Sequence, residues 1–464
     1  MKLSLRYLCL LLAVLLPCTL LLACSSRTEN PPAGADTQPV DYTENVMVSQ
    51  NYHLSLGMAY YYFDSYYQSL QKYYGSYFQS ITGIDPAKSL RSQTMEDGST
   101  AFEYLLQGLI WPNLLELLCL NEAAQAADFI LSEDQQAAVR REAEAVDLSG
   151  KDWIDTESLV YFNALTTRAG LYQEHLQNSY VYTDADFDAY AADQGTALQT
   201  AEYLYYTIQT SDLSDEQKSA LTEQLDTLKT LHNCDAFTKS FTDILQQLYP
   251  ILTAESISAA LEKSRTLTTD SNSVTLLNTW SKSADLAPGD VTYYTNDAGT
   301  AITVACLLRA PFYDEQPTAT VRHILARTET AGSAQAAHTT AQAWYDSWCA
   351  TDRTEASFIA FAEKNSEDPG SVAAGGLYEN IAPGQTVDAF DSWCFAPNRS
   401  PGDSGLVDTE YGTHVMYYCH QGLPRWKATA LTQMRKRDFS AELTTFIERF
   451  TVKENETLLQ NIEL

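Results

Sequence analysis

Apolar positions recur at helical steps through the first third of the chain. Leu54, Met58, Tyr61, Tyr62, Phe63 and Tyr66 fall at short, mostly three- and four-residue steps, and Leu105, Leu106, Leu109 and Leu117 continue in kind. Tyr42 to about Leu176 therefore reads as a succession of helices. A tyrosine-rich helix is expected over Tyr52–Phe78. Its rings suit either a surface for extended chains or, the reading we favour, packing inside their own domain. Ser132 followed three residues later by Gln135 fits a capping box and predicts a helix over Ser132–Val146. From about residue 198 the pattern changes. Strand-like runs at Ala201–Ile208, Ile302–Leu308, Thr320–Ala326 and Val415–Tyr418 alternate with helical stretches. Residues 423–464 form a last helical segment, with Leu431, Phe439, Leu443, Phe446 and Phe450 as its apolar stripe.

The strand-bearing stretches repeat. Trp280 is followed by Pro288-Gly289-Asp290, Gly299-Thr300-Ala301 and Cys306; Trp393 is followed at matching intervals by Pro401-Gly402-Asp403, Gly412-Thr413-His414 and Cys419. The shared offsets predict two modules of one design, 198–313 and 318–422. The expected fold class is α+β and multidomain: a helical region over 42–197, joined by the C-terminal segment, and two α+β modules.

The first residues bear on the compartment. Lys2 and Arg6 precede the apolar run Leu8–Leu22, which is shorter than the ~20 residues a membrane-spanning helix needs. The run ends in Leu21-Leu22-Ala23-Cys24. This resembles the lipobox of bacterial lipoproteins, which implies removal of residues 1–23 and a diacylglyceryl anchor on Cys24. Residues 24–41 are polar and rich in Pro, Gly and Ser, and read as a flexible tether. Lys plus Arg number 29 against 60 Asp plus Glu, a net charge of −31. Nothing offsets phosphate repulsion, so nucleic acid is excluded as a partner. The six cysteines beyond Cys24 are Cys119, Cys234, Cys306, Cys349, Cys394 and Cys419. They show no CxxC pair and no metal-ligand spacing with His, so no metal is expected, and spacing alone assigns no disulfide.

Only the second module has a histidine pair. Val321-Arg322-His323-Ile324-Leu325 places His323 within a strand, and Tyr411-Gly412-Thr413-His414-Val415 places His414 at the start of another. Between them come a helix over Phe358–Asn365, the turn Asp368-Pro369-Gly370-Ser371, Gly375-Gly376-Leu377-Tyr378, Pro383-Gly384-Gln385-Thr386 and Phe390. In residues, order and spacing this series resembles the parvulin family of peptidyl-prolyl isomerases over about a hundred residues.

The resemblance implies the following. His323 and His414 are the two core histidines of the site. Asp368 stands beside the substrate carbonyl, and Thr409 supports the histidine pair. Leu377 and Phe390 wall a proline pocket, with Thr386 where a Met is usual. Gly376 stands where Asp is common and Tyr378 where Gly is usual, so pocket shape and rate are expected to differ. The first module has Ala301 where the second has His414, and residues near Tyr203 and Leu204 where it has His323. It reads as a degenerate copy without isomerase chemistry. The layout of anchor, helical region, modules and helical tail resembles extracytoplasmic foldase lipoproteins. That implies a peptidyl-prolyl isomerase and folding factor for exported polypeptides with X–Pro bonds, needing no cofactor. A holdase that binds but hardly catalyses is the alternative.

Overall fold

The computed structural model describes residues 40–269, 274–283, 285–455 and 457–458. The expected signal peptide and lipidated Cys24 lie outside the described residues. The chain divides into two compact units, one of residues up to Val181 together with those from Arg435 onward, the other Tyr182–Met434.

The first unit is mostly helical, but its opening is not. Asn45–Val48 and His53–Ser55 are antiparallel strands, and Lys453–Glu454 adds a third beside Asn45–Val48. The run Val46-Met47-Val48 favours extended backbone, and Val46, Met47 and Leu54 are wholly buried. The tyrosine-rich helix consequently starts later than expected, at Leu56, where the Ser55 hydroxyl caps it by accepting from the Met58 N–H. It ends at Tyr74 because Gly75 adopts positive φ. A 3₁₀ turn, Gly75–Tyr77, and a short helix, Phe78–Thr82, follow. Tyr61, Phe63 and Tyr66 are buried, while Tyr73 and Tyr77 near its end are exposed. Helix Glu133–Ala145 opens on the reciprocal Ser132–Gln135 capping box that its sequence predicts. Phe439 and Phe446 of helix Arg425–Arg449 join the core of Phe63, Phe102, Leu118 and Phe162. Glu122 is a buried carboxylate in this unit, held by Ser49 Oγ, the Asn51 N–H and Asn51 Nδ2 at 2.6–2.7 Å.

The second unit contains two four-stranded antiparallel sheets. In space the first runs Thr266–Leu267, Thr200–Gln209, Ala301–Phe312, Val291–Thr295; the second runs Leu377–Ile381, Pro317–Arg327, Gly412–Pro424, Ser404–Thr409. Both therefore have the strand order 2-1-4-3. Helices Asp215–Leu228, Cys234–Leu248 and Ala254–Lys263 bury Leu225, Phe237, Phe241 and Ile257 against Leu204, Val304 and Cys306 of the first sheet. Helices Ala334–Cys349 and Glu355–Asn365 bury Ala341, Trp348 and Phe358 against Ile324, Val415 and Tyr417 of the second.

The strand register departs from the sequence offsets. Gly402 N–H donates to Tyr418 O in the second sheet, and Gly289 N–H donates to Leu307 O in the first. The hairpin beyond is tight in the second, where Thr409 pairs with Gly412, but wider in the first, where Asn296 N–H reaches Ala301 O. Equal spacing in sequence thus conceals a slip of two positions. Cys306 matches Tyr417, not Cys419. The counterpart of His414 is Thr303 rather than Ala301, and that of His323 is Tyr205 rather than Tyr203 or Leu204.

Among the described residues no helix is long and apolar enough to cross a membrane.

Candidate active site

Strands Pro317–Arg327 and Gly412–Pro424 pair with Met416 opposite His323 and Leu325 opposite His414. The two imidazoles are therefore diagonal neighbours on one face of the sheet, the face away from the two long helices. His323 Nδ1 lies 3.0 Å from His414 Nδ1, and the rings are 1% and 6% exposed. Gly376 lets the chain cross this spot: its φ is +74°, and a Cβ there would stand 2.1 Å from His323 O. The glycine noted in the sequence as a departure is thus the residue the backbone requires.

Helix Glu355–Asn365 stops before Ser366, whose hydroxyl accepts from the Leu325 N–H, and the Glu367 N–H donates to Leu325 O. These bonds bring the next residue, Asp368, to the histidines. His323 Nε2 is 2.9 Å from Asp368 Oδ2. The Ser371 hydroxyl donates to the same oxygen, and Tyr378 OH donates to it at 3.2 Å; Oδ1 accepts from the Gly370 N–H. At the far end Thr409 Oγ1 is 2.9 Å from His414 Nε2. Both nitrogens of both rings are engaged within the protein. The Thr409 hydroxyl donates to Gly412 O at 3.1 Å while its oxygen faces His414 Nε2, His414 Nδ1 faces His323 Nδ1, and His323 Nε2 faces the Asp368 carboxylate.

Burial, and then the neighbouring His323, push His414 down to about 3, so it is neutral at physiological pH. Burial alone would raise Asp368, but hydrogen bonds from His323 and Ser371 outweigh it and hold the carboxyl well below its usual range. Burial and the Asp368 charge raise the Tyr378 phenol to about 12, so it stays a donor.

Phe390, on the short helix Asp388–Cys394, stands edge-on to both imidazoles, with centroids 5.6 Å from His323 and 5.3 Å from His414. It is 2% exposed. The structure thus brings together His323, Asp368, His414, Thr409 and Phe390. Leu377 and Thr386 are not members of the network. Leu377 is half-buried opposite Arg322, and Thr386 has a buried hydroxyl with no hydrogen-bond partner among the described residues. Sequence reasoning missed two members. Ser371 was visible as the fourth residue of an Asp-Pro-Gly-Ser turn, where a hydroxyl folds back on the Asp. Tyr378 was noticed only as a departure, and its ring centroid lies 4.6 Å from that of His323. Among the described residues no cluster of His, Cys, Asp and Glu could hold a metal ion.

Residues 312–420 match the family model of the PPIC-type PPIASE domain, and this segment is a PPIC-type peptidyl-prolyl isomerase domain. Among solved structures the chain is similar to peptidylprolyl isomerase (PrsA) from Bacillus cereus, at 16% identity over 63% of this chain and 80% of that one, with a TM-score of 0.21. It is also similar to PrsA from Bacillus subtilis, at 15% identity over 63% and 81%, with a TM-score of 0.19. No curated protein matches the chain. The assignment of the domain rests on the family model.

Proposed function

We propose that residues 318–422 catalyse rotation about X–Pro bonds in the parvulin manner, and that the whole chain is a folding factor for exported polypeptides. The observation that carries this reading is the joined row Asp368–His323–His414–Thr409 inside a PPIC-type domain. Rotation about the bond faces a barrier of ~18–20 kcal/mol from amide resonance, and no bond need break. The catalyst must therefore bind the twisted amide better than either planar form. The histidines act as a rigid scaffold, because each ring nitrogen already has a partner and no free base remains. Asp368 is the charged group nearest the reacting carbonyl, and Phe390, Leu377 and Thr386 form the slot for the proline ring. The apolar run before Cys24 supports an extracytoplasmic, lipid-anchored location, with residues 42–197 and 423–464 as a chaperone-like helical domain and 198–313 as a degenerate module.

A protease-coupled assay on the full chain with a proline peptide tests this reading. Catalysis above background that His414→Ala removes is the expected result; the same rate in both proteins excludes the role of the pair. One observation favours a holdase as second reading: His323, His414 and Phe390 are almost wholly covered, and Tyr378 donates to Asp368. No catalysis, with aggregation of an unfolded client still suppressed, is the outcome that reading expects.

A further inference from the structure

The first sheet carries a pair of thiols outside the candidate active site. Cys234 is the first residue of helix Cys234–Leu248, behind the Asn233 cap, and Cys306 sits in the central strand Ala301–Phe312. Their sulfurs are 3.6 Å apart, although the residues are 72 apart in sequence. Both are free thiols here, Cys234 half-buried and Cys306 buried. The surroundings fix the pair from both sides. Cys234 Sγ–H donates to Leu307 O at 3.3 Å, and that carbonyl also accepts from the Gly289 N–H. The Leu307 N–H donates to Asp290 O, and the Asp290 carboxylate holds the imidazole of His232, two residues before Cys234. One turn, Pro288–Asp290, thus anchors both the strand that bears Cys306 and the segment leading into Cys234.

We propose that Cys234 and Cys306 are a disulfide-forming site that closes in the presence of a low-molecular-weight disulfide. Cys234, half-buried where Cys306 is buried, is the sulfur a small disulfide reaches and is the attacking group. Its sulfur bonds to one sulfur of the small disulfide and expels the other as a thiolate. Cys306 then gives up its proton and displaces the second thiolate from Cys234. The protein loses two protons and two electrons, and the small disulfide is reduced to two thiols. Closing the bond brings the sulfurs from 3.6 Å to a bond length of about 2.05 Å. Burial, the neighbouring thiol and the Asp290 charge all push the Cys306 thiol up. The bond removes that ionisable group and ties the helix to the sheet across a long loop, the arrangement in which a cross-link constrains the unfolded chain most.

The test treats the full chain with oxidised glutathione. Expected are an intact mass lower by two hydrogens, a non-reducing peptide map joining the Cys234 and Cys306 peptides, and a melting temperature higher by roughly 5–10 °C than in dithiothreitol. Cys234→Ser abolishes all three. The map on the unaltered chain decides the matter even if that variant does not fold. Both thiols still open to alkylation after unfolding, a lasting glutathione adduct on Cys234, or a cross-link to another cysteine instead would overturn the proposal. None of these readouts depends on isomerase activity.

Discussion

The two four-stranded sheets of the second unit share strand order and helix placement, yet they differ at the spot where the imidazoles meet. The second has His323 and His414 on adjacent strands; the first has Tyr205 and Thr303 at the matching places. It also lacks an Asp-Pro-Gly-Ser turn beside that spot. The frame is thus compatible with both sets of side chains, and the two sheets differ in a few residues laid on it. The difference also has an energetic side. Thr207 and Thr303 share one hydroxyl–hydroxyl bond at 3.0 Å, whereas the second module must keep a half-buried carboxylate and two buried imidazoles satisfied together.

The largest expected effect is on removal of one imidazole. His414→Ala leaves His323 Nδ1 without its partner and opens a void, costing about 3 kcal/mol in chemical denaturation. Thr303→Ala in the first sheet should cost about 1 kcal/mol or less. Equal losses would mean that the pair is no more coupled than the threonines. Next comes acid. His414 is held down to about 3, while its unfolded value is 6.5. Between these limits the unfolded chain binds a proton that the folded chain refuses. Stability is therefore full above about pH 6.5 and is lost as pH falls, by up to about 1.4 kcal/mol per unit. Asp368, also depressed, adds to the loss only below about pH 4. Hydrogen exchange at pH 7 and pH 5 should show protection falling in strands Pro317–Arg327 and Gly412–Pro424 but not in Thr200–Gln209. Uniform loss in both sheets would break the distinction.

Asp368→Asn removes the charge but keeps the shape. About 2 kcal/mol of stability and roughly a tenfold drop in isomerase rate are expected, measured by urea unfolding and a proline-peptide assay. The smallest effect is that of Tyr378→Phe, which deletes one 3.2 Å bond to Asp368. Stability should change by about 0.5–1 kcal/mol and kcat/KM by no more than about fivefold. A larger change would make the hydroxyl a direct partner of the substrate.

Much of this was legible in the sequence, for reasons that differ by region. The residues that meet on the second sheet lie in short, ordered motifs, so the resemblance to the parvulin family pointed to His323, Asp368, His414, Thr409 and Phe390 before any coordinates. The capping box at Ser132 acts over three residues and was legible for the same reason. Strands Asn45–Val48 and His53–Ser55 were not, because a helical periodicity began inside them and their third partner, Lys453–Glu454, lies at the other end of the chain. The two-residue slip between the sheets was hidden because the first hairpin turn is two residues longer while the Gly-Thr and Cys signposts keep equal spacing in sequence. The nearness of Cys234 to Cys306 was out of reach, since it depends on how a helix terminus meets a central strand.

The first unit is built from both ends of the chain: Phe439, Phe446 and Lys453–Glu454 complete a core and a sheet begun before residue 60. A polypeptide that emerges amino-terminus first must keep that early half waiting, unfinished, until almost its last segment arrives. Ending the chain at Met434 should leave residues 42–181 open to limited proteolysis, and persistent resistance there would show that the early half stands alone.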